Sequence, residues 1–406
     1  MQQYNFTLLS GGGLAQGIND QNQIVGFLLK EDGTRPGVWW LPNANAAGYQ
    51  NMVNPATMNP PLTVPELTAI NNIGLVIPGS ELICINWGDA NFSTTLSPTV
   101  LNGATALNNS GQIVSGGNIC FWSPSAKGLA PIPLPLSDST GYGINDLGDV
   151  VGDFAADPEG FIFADGNYNG TGLGSMKDIN VNRLVVGYVT NKSVNSPVWI
   201  QYSPDAQGAA TILPMNEIKY IEYLGEVAKG QATAVNNAGT IVGFANDPQS
   251  GEQFAFLADQ PGSPAADLNE IVGYTQGWHL RDAMDINESG LIVGTCTYTN
   301  KETGAEDVAG YVATPVKWNL NPYLGGTLAG LLATLANGIS GMAGMAPAPK
   351  GLGQAWESLT VEQRETLLSF AISTLAGHLS DREAQSQIQR IAAAAASRAL
   401  DQSNRL

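Results

Sequence analysis

One nine-residue phrase, repeated seven times, constrains the fold of this 406-residue chain more than any other feature. It first appears as INDQNQIVG from Ile18, and its second residue is asparagine in every copy: Asn19, Asn71, Asn108, Asn145, Asn180, Asn236 and Asn287. Successive asparagines are 35 to 56 residues apart. Self-similarity at such a period is typical of architectures in which each copy forms one supersecondary unit.

Each copy of the phrase predicts a strand, a tight turn and a second strand. An asparagine side chain bonds nearby backbone and nucleates a turn, and the residue three positions later is usually glycine, as in Gly74, which accepts the left-handed conformation. The apolar pair that follows indicates a strand buried on both faces. The glycine that closes most copies, such as Gly26, predicts the end of that strand, at a bend or at the close approach of another backbone.

A short aromatic strand follows each hairpin, for example Val38-Trp39-Trp40. Three to four strands a repeat is the content of one propeller blade. Residues 4–14 have the pattern of the last strand of a repeat but precede the first asparagine, so we expect them to complete the final blade and to hide its edge. A linear solenoid would need polar caps at both ends, and the sequence offers none. The longer spacings predict loop insertions at residues 43–63, 203–230 and 259–278.

The C-terminal part of the chain has a different composition. Residues 318–349 carry no charge, and 324–346 are small and apolar. That segment is long enough to span a bilayer, but its many glycines equally fit a helix packed on another surface or a Gly/Ala linker. Capping boxes at Thr360 and Ser380 predict two further helices that form a hairpin. The predicted fold is therefore an all-β seven-bladed β-propeller with an α-helical C-terminal extension, divided into residues 1–318, 319–353 and 354–406.

Composition excludes some partners. The net charge is −18, with only 17 Lys and Arg residues, so a nucleic-acid partner is not expected. Membrane contact remains open only through 324–346. An acidic, lysine-poor surface favours a secreted protein, although the N-terminal residues lack a signal-peptide pattern. The three cysteines, Cys84, Cys120 and Cys296, are expected to be buried free thiols, with a pair between the first two as the alternative.

Few residues indicate a ligand site. The asparagines and their acidic neighbours suggest calcium, but the neighbour varies between copies while turn formation accounts for the asparagines, so no metal site is assigned. Most tryptophans lie on strands with a core-packing period. The best binding candidates are in the insertions: Trp278, His279, Tyr220 and Tyr223. No catalytic triad, phosphate-binding loop or dinucleotide motif is present, so we assign no catalytic residue and no cofactor.

The phrase I-N-D-x-G-x-I-V-G, followed by an aromatic strand, resembles the bacterial HAF extracellular repeat over about residues 4–315. Residues 18–26, 144–152 and 286–294 match it best. The aromatic strand of that family reads His-Ala-Phe, and Phe254-Ala255-Phe256 is the nearest equivalent here. The resemblance implies a propeller and often an extracellular setting, and it transfers no catalytic residues.

Three functional hypotheses follow. The first is a non-enzymatic binding protein that uses loops on one propeller face to bind a protein or a glycan, with the helical tail serving docking or homo-oligomer assembly. The second is a leaderless secreted toxin or effector whose segment 324–346 engages a membrane or a delivery apparatus. The third is a propeller hydrolase or lyase with a site in the central channel.

Overall fold

The computed structural model describes residues 2–43, 48–49, 53, 66–78, 83–84, 104–115, 118–123, 128–133, 139–154, 159–203, 211–212, 218–273 and 275–316. The chain divides into two compact units, Met1–Val316 and Lys317–Leu406. All described residues belong to the first unit. The predicted apolar segment and helical hairpin of the second, and most of the insertion at 43–63, lie outside the described residues.

The first unit is almost entirely antiparallel β-sheet, as the repeats predict. The chain begins with β1 (Tyr4–Leu8). The first two repeats each form a three-stranded sheet, made by β2 (Gly13–Ile18), β3 (Ile24–Leu28) and β4 (Gly37–Trp40), and by β5 (Leu67–Ile70), β6 (Leu75–Pro78) and β7 (Ile83–Cys84). The third forms a four-stranded sheet of β8 (Ala104–Leu107), β9 (Gln112–Ser115), β10 (Asn118–Ser123) and β11 (Gly128–Pro133).

The fourth and fifth repeats share one long strand. Their strands are β12 (Ser139–Ile144), β13 (Val150–Phe154), β14 (Glu159–Ala164), β15 (Asn167–Ile179), β16 (Leu184–Asn191), β17 (Val194–Gln201), β18 (Thr211–Ile212) and β19 (Lys219–Tyr220). The first half of β15 pairs with β14 and its second half pairs with β16. The 13-residue strand is thus the outer strand of one repeat and the inner strand of the next.

The last two repeats are four-stranded. A small hairpin, β20 (Glu222–Tyr223) with β21 (Glu226–Val227), precedes them in the insertion expected at 203–230. The sixth repeat contains β22 (Lys229–Val235), β23 (Ile241–Asn246), β24 (Gln253–Ala258), β25 (Ala266–Asp267) and the one-turn helix α1 (Leu268–Ile271). The seventh contains β26 (His279–Ile286), β27 (Ile292–Thr299) and β28 (Glu306–Pro315).

The two ends of the first unit meet in one sheet. Strand β1 pairs antiparallel with β28, in register from Tyr4 opposite Pro315 to Leu8 opposite Tyr311. The first strand of the chain is therefore the fourth strand of the sheet built by its last repeat. This pairing covers an edge that would otherwise present free backbone groups to another chain. The arrangement of the sheets is β-propeller-like.

The core lies between the sheets. The apolar residues after each turn are fully buried, as in Ile24-Val25 and Ile292-Val293. Trp39 and Trp40 are also fully buried, which agrees with core packing rather than sugar stacking for this pair. Burial raises the pKa of the Cys296 thiol to about 12, and the thiol donates to the Ala309 carbonyl, so it is a buried free cysteine.

The glycines at the end of the phrase do not end their strands, contrary to one expectation. Gly26 lies in the middle of β3, opposite Ala15 and beside a register shift in β2. A Cβ on Gly26 would lie 1.9 Å from the Leu14 carbonyl oxygen. The glycine is therefore required by close backbone approach at a β-bulge, the second of the two roles considered for it.

Candidate functional site: the central channel

One cavity of about 290 Å³ is lined by residues from all seven repeats. Among the described residues, the innermost strand of each repeat, which in the fifth repeat is the second half of β15, pairs with a strand on its outer side only, so its inner edge faces this channel. Each of these strands contains a bulge. The extra residue at each bulge lines the cavity, and its type differs between repeats: Gln16, Thr68, Thr105, Tyr142, Lys177, Thr233 and Met284.

The seven repeated asparagines form a closed hydrogen-bonded ring around this channel. Each side-chain Nδ2 donates to the backbone carbonyl of the asparagine in the next repeat at 2.8 to 3.3 Å, and Asn287 closes the ring by donating to the Asn19 carbonyl. Each Oδ1 accepts from the backbone N–H four residues later, for example Leu75 N–H to Asn71 at 2.9 Å. Turn formation therefore explains only the hydrogen bonds that each asparagine side chain accepts through Oδ1, and not the bond that its Nδ2 donates to the next repeat.

The residues that follow the asparagines form a second, incomplete ring. We call these the rim residues: Asp20, Asn72, Asn109, Asp146, Val181, Asn237 and Glu288. In six of the seven junctions the backbone N–H of one rim residue donates to the side-chain oxygen of the next, at 2.8 to 3.1 Å. The exception is the junction from Asp146 to Val181, because valine has no acceptor. Asp, Asn and Glu all carry a side-chain oxygen, so each of them can accept the hydrogen bond from the backbone N–H of the preceding rim residue.

An ion pair spans the same junction. Arg183 occupies the turn position where five other repeats have glycine, with a φ of 58°. Its guanidinium Nε donates to the Asp149 carboxylate and Nη2 to that of Asp165, both at 2.8 Å. These contacts link the fourth repeat to the fifth where the rim bond is missing.

Two carboxyl groups lie deep in the channel. Asp178 and Asp285 occupy the position two residues before the asparagine, where the other repeats have glycine or alanine. Each accepts two backbone N–H groups: Asp178 from Ile179 and Val235, and Asp285 from Ile286 and Ile18, at 2.8 to 2.9 Å. Burial raises the pKa of Asp178 to about 6 and that of Asp285 to about 7, against the lowering effect of these bonds.

Lys177 is the cation among the bulge residues of the channel. Its Nζ lies 3.6 Å from the centroid of the Tyr142 ring and 5.5 Å from that of Tyr188, which is a cation–π arrangement. Burial lowers the pKa of Lys177, and the charge of Asp153 partly offsets this effect. The contact between Lys177 and Tyr142 thus links the bulge residue of the fifth repeat to that of the fourth.

The rim residues form an acidic surface with two protruding apolar side chains. Asp20, Asp146 and Glu288 are exposed, and within the described part of the chain none of them forms an ion pair with a basic residue. One position further along the turns, Ile73 is 59% exposed and Leu147 is 60% exposed. Carboxylates and apolar groups are thus presented together around the opening.

The four binding candidates chosen from the sequence do not line the channel. Trp278 packs against Tyr298, with ring centroids 5.7 Å apart, and His279 Nε2 lies 2.8 Å from the Gln253 carbonyl. Tyr223 packs on Phe254, with centroids 4.7 Å apart. Tyr220 in β19 is 36% exposed at the outer edge of the fifth repeat.

The sequence reasoning missed the channel residues Asp178, Asp285, Lys177 and Tyr142. The available signal was a comparison of the seven copies at the positions just before the phrase, where two copies replace glycine or alanine by aspartate. Among the described residues no three His, Cys, Asp or Glu side chains group in a way that could hold a metal ion. None of the described helices has the length and apolar character needed to cross a membrane.

Comparisons with known proteins add little. The sequence matches no protein-family model and no curated protein. Among solved structures, YCF48 from Cyanidioschyzon merolae is 9% identical with a TM-score of 0.49, and the match covers 77% of this chain and 99% of that one. Sqt1 from Chaetomium thermophilum is 7% identical with a TM-score of 0.38, covering 78% and 99%. Likenesses this weak carry no argument about activity or partners.

Proposed function

We propose that this chain is a seven-bladed β-propeller that acts as a non-enzymatic binding module, and that its rim docks a basic segment of a protein partner. The observation that carries the proposal is the acidic rim itself. Three carboxylates, Asp20, Asp146 and Glu288, lie around one opening with no basic ion-pair partner in the part of the chain that the structure describes, beside the exposed Ile73 and Leu147. Complementary charge steers association and fixes orientation, while exposed apolar side chains supply contact area.

The rim is suited to binding because it is rigid. Its carboxylates are held by hydrogen bonds to neighbouring repeats: Asp20 accepts from the Glu288 N–H at 2.9 Å, and Asp146 from the Asn109 N–H at 2.8 Å. A partner therefore meets charges in fixed positions and orders few side chains on this surface. Lower ordering cost favours affinity.

The test uses substitutions that remove the three negative charges and keep the bonds from the rim N–H groups to the rim side-chain oxygens. Asn72, Asn109 and Asn237 already occupy rim positions, so Asp20→Asn and Asp146→Asn keep the backbone N–H bonds and lose only the exposed hydrogen bonds from the Nδ2 groups of Asn72 and Asn109, and Glu288→Gln completes the set. Binding of the full-length protein to tethered peptides of equal length and positive, zero or negative charge is measured against salt. We expect retention of the positive peptides, weakened by at least about tenfold in the triple variant, a loss of about 1.4 kcal/mol.

The matched control removes an equal number of carboxylate charges, three, at positions away from the rim. Glu302, Glu306 and Asp307 are exposed in and beside one loop of the seventh repeat, and E302Q/E306Q/D307N should retain binding. Equal loss in both triple variants would show that only net charge matters. A preference for negative peptides would refute the proposal.

The channel carboxyls favour the hydrolase or lyase as a second candidate. Asp178 and Asp285 have raised pKa values and line one cavity, as acid–base pairs do. Against this, each carboxyl already holds two backbone N–H groups. Turnover of any glycoside or polyuronate by the wild type, abolished in Asp178→Asn, would favour the enzyme over the binding module.

The tail remains part of the proposal. We propose that residues 319–406 serve docking or homo-oligomer assembly, and the competing effector hypothesis gives 324–346 a membrane role. Sedimentation of the full chain against residues 1–320 tests assembly, since two monomers would exclude it. Leakage of liposomes that requires residues 318–350 would instead support the effector.

A further inference from the structure

The channel holds a second set of backbone donors, separate from the rim. The residue just before each asparagine lines the channel with its backbone and packs its side chain against the core, as Ile18 does, although Leu107 is only partly buried there. Two contacts show that the backbone N–H points towards the channel: Ile18 N–H donates to Asp285 and Val235 N–H donates to Asp178, both at 2.9 Å. The common turn and bulge register places the equivalent N–H groups of the other repeats on the same free edge.

Among the residues that the structure describes, three adjacent repeats leave this donor without a side-chain acceptor. Asp178 and Asp285 also accept from Ile179 and Ile286, so these two aspartates serve four of the seven N–H groups. In the remaining repeats the donors are Ile70, Leu107 and Ile144, and the facing positions of the preceding repeats are Gly17, Ala69 and Ala106, which carry no acceptor. One wall of the channel is thus a row of three donors, and the other wall carries two carboxyl groups.

We propose that the channel binds a small neutral polyhydroxylated molecule, a polyol or a monosaccharide, with oxygen acceptors on Ile70, Leu107 and Ile144 N–H and hydroxyl donors on Asp178 and Asp285. This site goes beyond the rim and does not depend on the partner proposed for it. A hydroxyl group both donates and accepts, so one ligand type serves both walls.

Charge and size restrict the ligand class. A cation would suit the carboxyl groups but would face the positive ends of three N–H dipoles, and an anion would have the opposite conflict. The cavity of about 290 Å³ equals the liquid volume of about ten waters. That space suits a compact molecule with several hydroxyls rather than a polymer chain.

The test uses xylitol and D-glucose as probes of the isotope-labelled full-length protein, followed by amide chemical shifts. We expect saturable shifts of the Ile70, Leu107 and Ile144 amides with one dissociation constant. The decisive variant is Ala106→Asp. Ala106 precedes Gly143 around the ring as Asp285 precedes Gly17, so the new carboxylate reproduces the Asp285 contact and takes up the Ile144 N–H.

Ala106→Asp should weaken probe binding by at least about tenfold, because a carboxylate of the protein now fills the ligand's place. The control Ala305→Asp makes the same change on an exposed loop and should leave binding unchanged. A circular dichroism melt checks that both variants fold, and Asp285→Asn gives a second variant on the opposite wall with the same expected loss. Absence of saturable shifts in the wild type, equal binding by Ala106→Asp, or shifts produced only by calcium or an alkylamine would each overturn the proposal.

Discussion

The asparagine ring can be separated from the asparagine turn by a single substitution, Asn71→Asp. Aspartate forms the same side-chain-to-backbone turn as asparagine, so the acceptor bonds to the Leu75 and Ile73 N–H groups are kept. What is lost is the donor bond from Nδ2 to the Asn108 carbonyl at 2.8 Å. In its place a carboxylate oxygen faces a carbonyl oxygen at a position that is 4% exposed.

The expected cost follows from those contacts. Losing one buried hydrogen bond removes about 1 kcal/mol. The Asn108 carbonyl keeps its turn bond from the Gly111 N–H, so the larger part of the cost comes from the second oxygen of the buried carboxylate, which replaces Nδ2 and has no donor, about 1 to 3 kcal/mol. We expect the free energy of unfolding to fall by about 2 to 4 kcal/mol.

Urea unfolding followed by tryptophan fluorescence measures this change, with Asn237→Asp as the control. Asn237 accepts from the Val181 N–H through Oδ1, and Asp20 and Asp146 show that aspartate fits this rim position, so the control should change stability by less than about 1 kcal/mol. The penalty of Asn71→Asp should be small below about pH 4, where the carboxyl is protonated and can donate, and should grow as the pH rises through its raised folded pKa. Equal stability of Asn71→Asp and wild type at pH 8 would falsify the ring as a stabilising element.

Three further predictions follow. Burial raises the pKa values of Asp178 and Asp285 to about 6 and about 7, so both carboxyl groups bind their protons more tightly in the folded state. Their contribution to the free energy of unfolding therefore falls as the pH rises from about 4 to about 7. The melting temperature of Asp285→Asn relative to wild type should rise between pH 5 and pH 8, and a constant difference would contradict the assignment. Gly26→Ala places a Cβ 1.9 Å from a backbone carbonyl oxygen and should cost about 3 kcal/mol or more in urea unfolding, whereas Gly33→Ala, with a positive φ but open space, should cost only about 1 kcal/mol. Deleting residues 1–8 uncovers the edge of β28 and should lower the melting temperature and produce concentration-dependent association in sedimentation, while a stable monomer would show that the edge pairing is dispensable.

The local structure of each repeat could be predicted because its causes lie within nine residues. An asparagine and a residue three positions later define the turn, and the left-handed conformation there is adopted by Gly74 and equally by Asn22 and Arg183. Arg183 shows that the backbone geometry is set by the whole hairpin and not by glycine alone. The antiparallel all-β class follows from the same local signals.

The ring and the channel could not be predicted from single copies. The Nδ2 of Asn145 donates to a carbonyl that is 35 residues away in the sequence, and the two groups come within hydrogen-bond distance only when the sheets are assembled around one axis. The variation among Asp20, Asn72 and Glu288 argues against calcium, but the need for an oxygen acceptor in six of the seven repeats becomes visible only from the neighbouring N–H groups. The binding candidates Trp278 and His279 follow from residue type and from a predicted insertion, and the structure places them in contact with other parts of the chain.

Strand β15 gives one junction of the protein a different mechanical character. The fourth and fifth repeats are joined by this continuous strand, with Arg183 and Lys177 bridging the same boundary, whereas six other junctions have a rim hydrogen bond that is missing here. Under a stretching force applied along the chain, these two repeats should extend as one step, because no slack loop separates them. For the same reason, circular permutants should tolerate new termini in the exposed stretch 248–252 and fail when the chain is opened between residues 173 and 174.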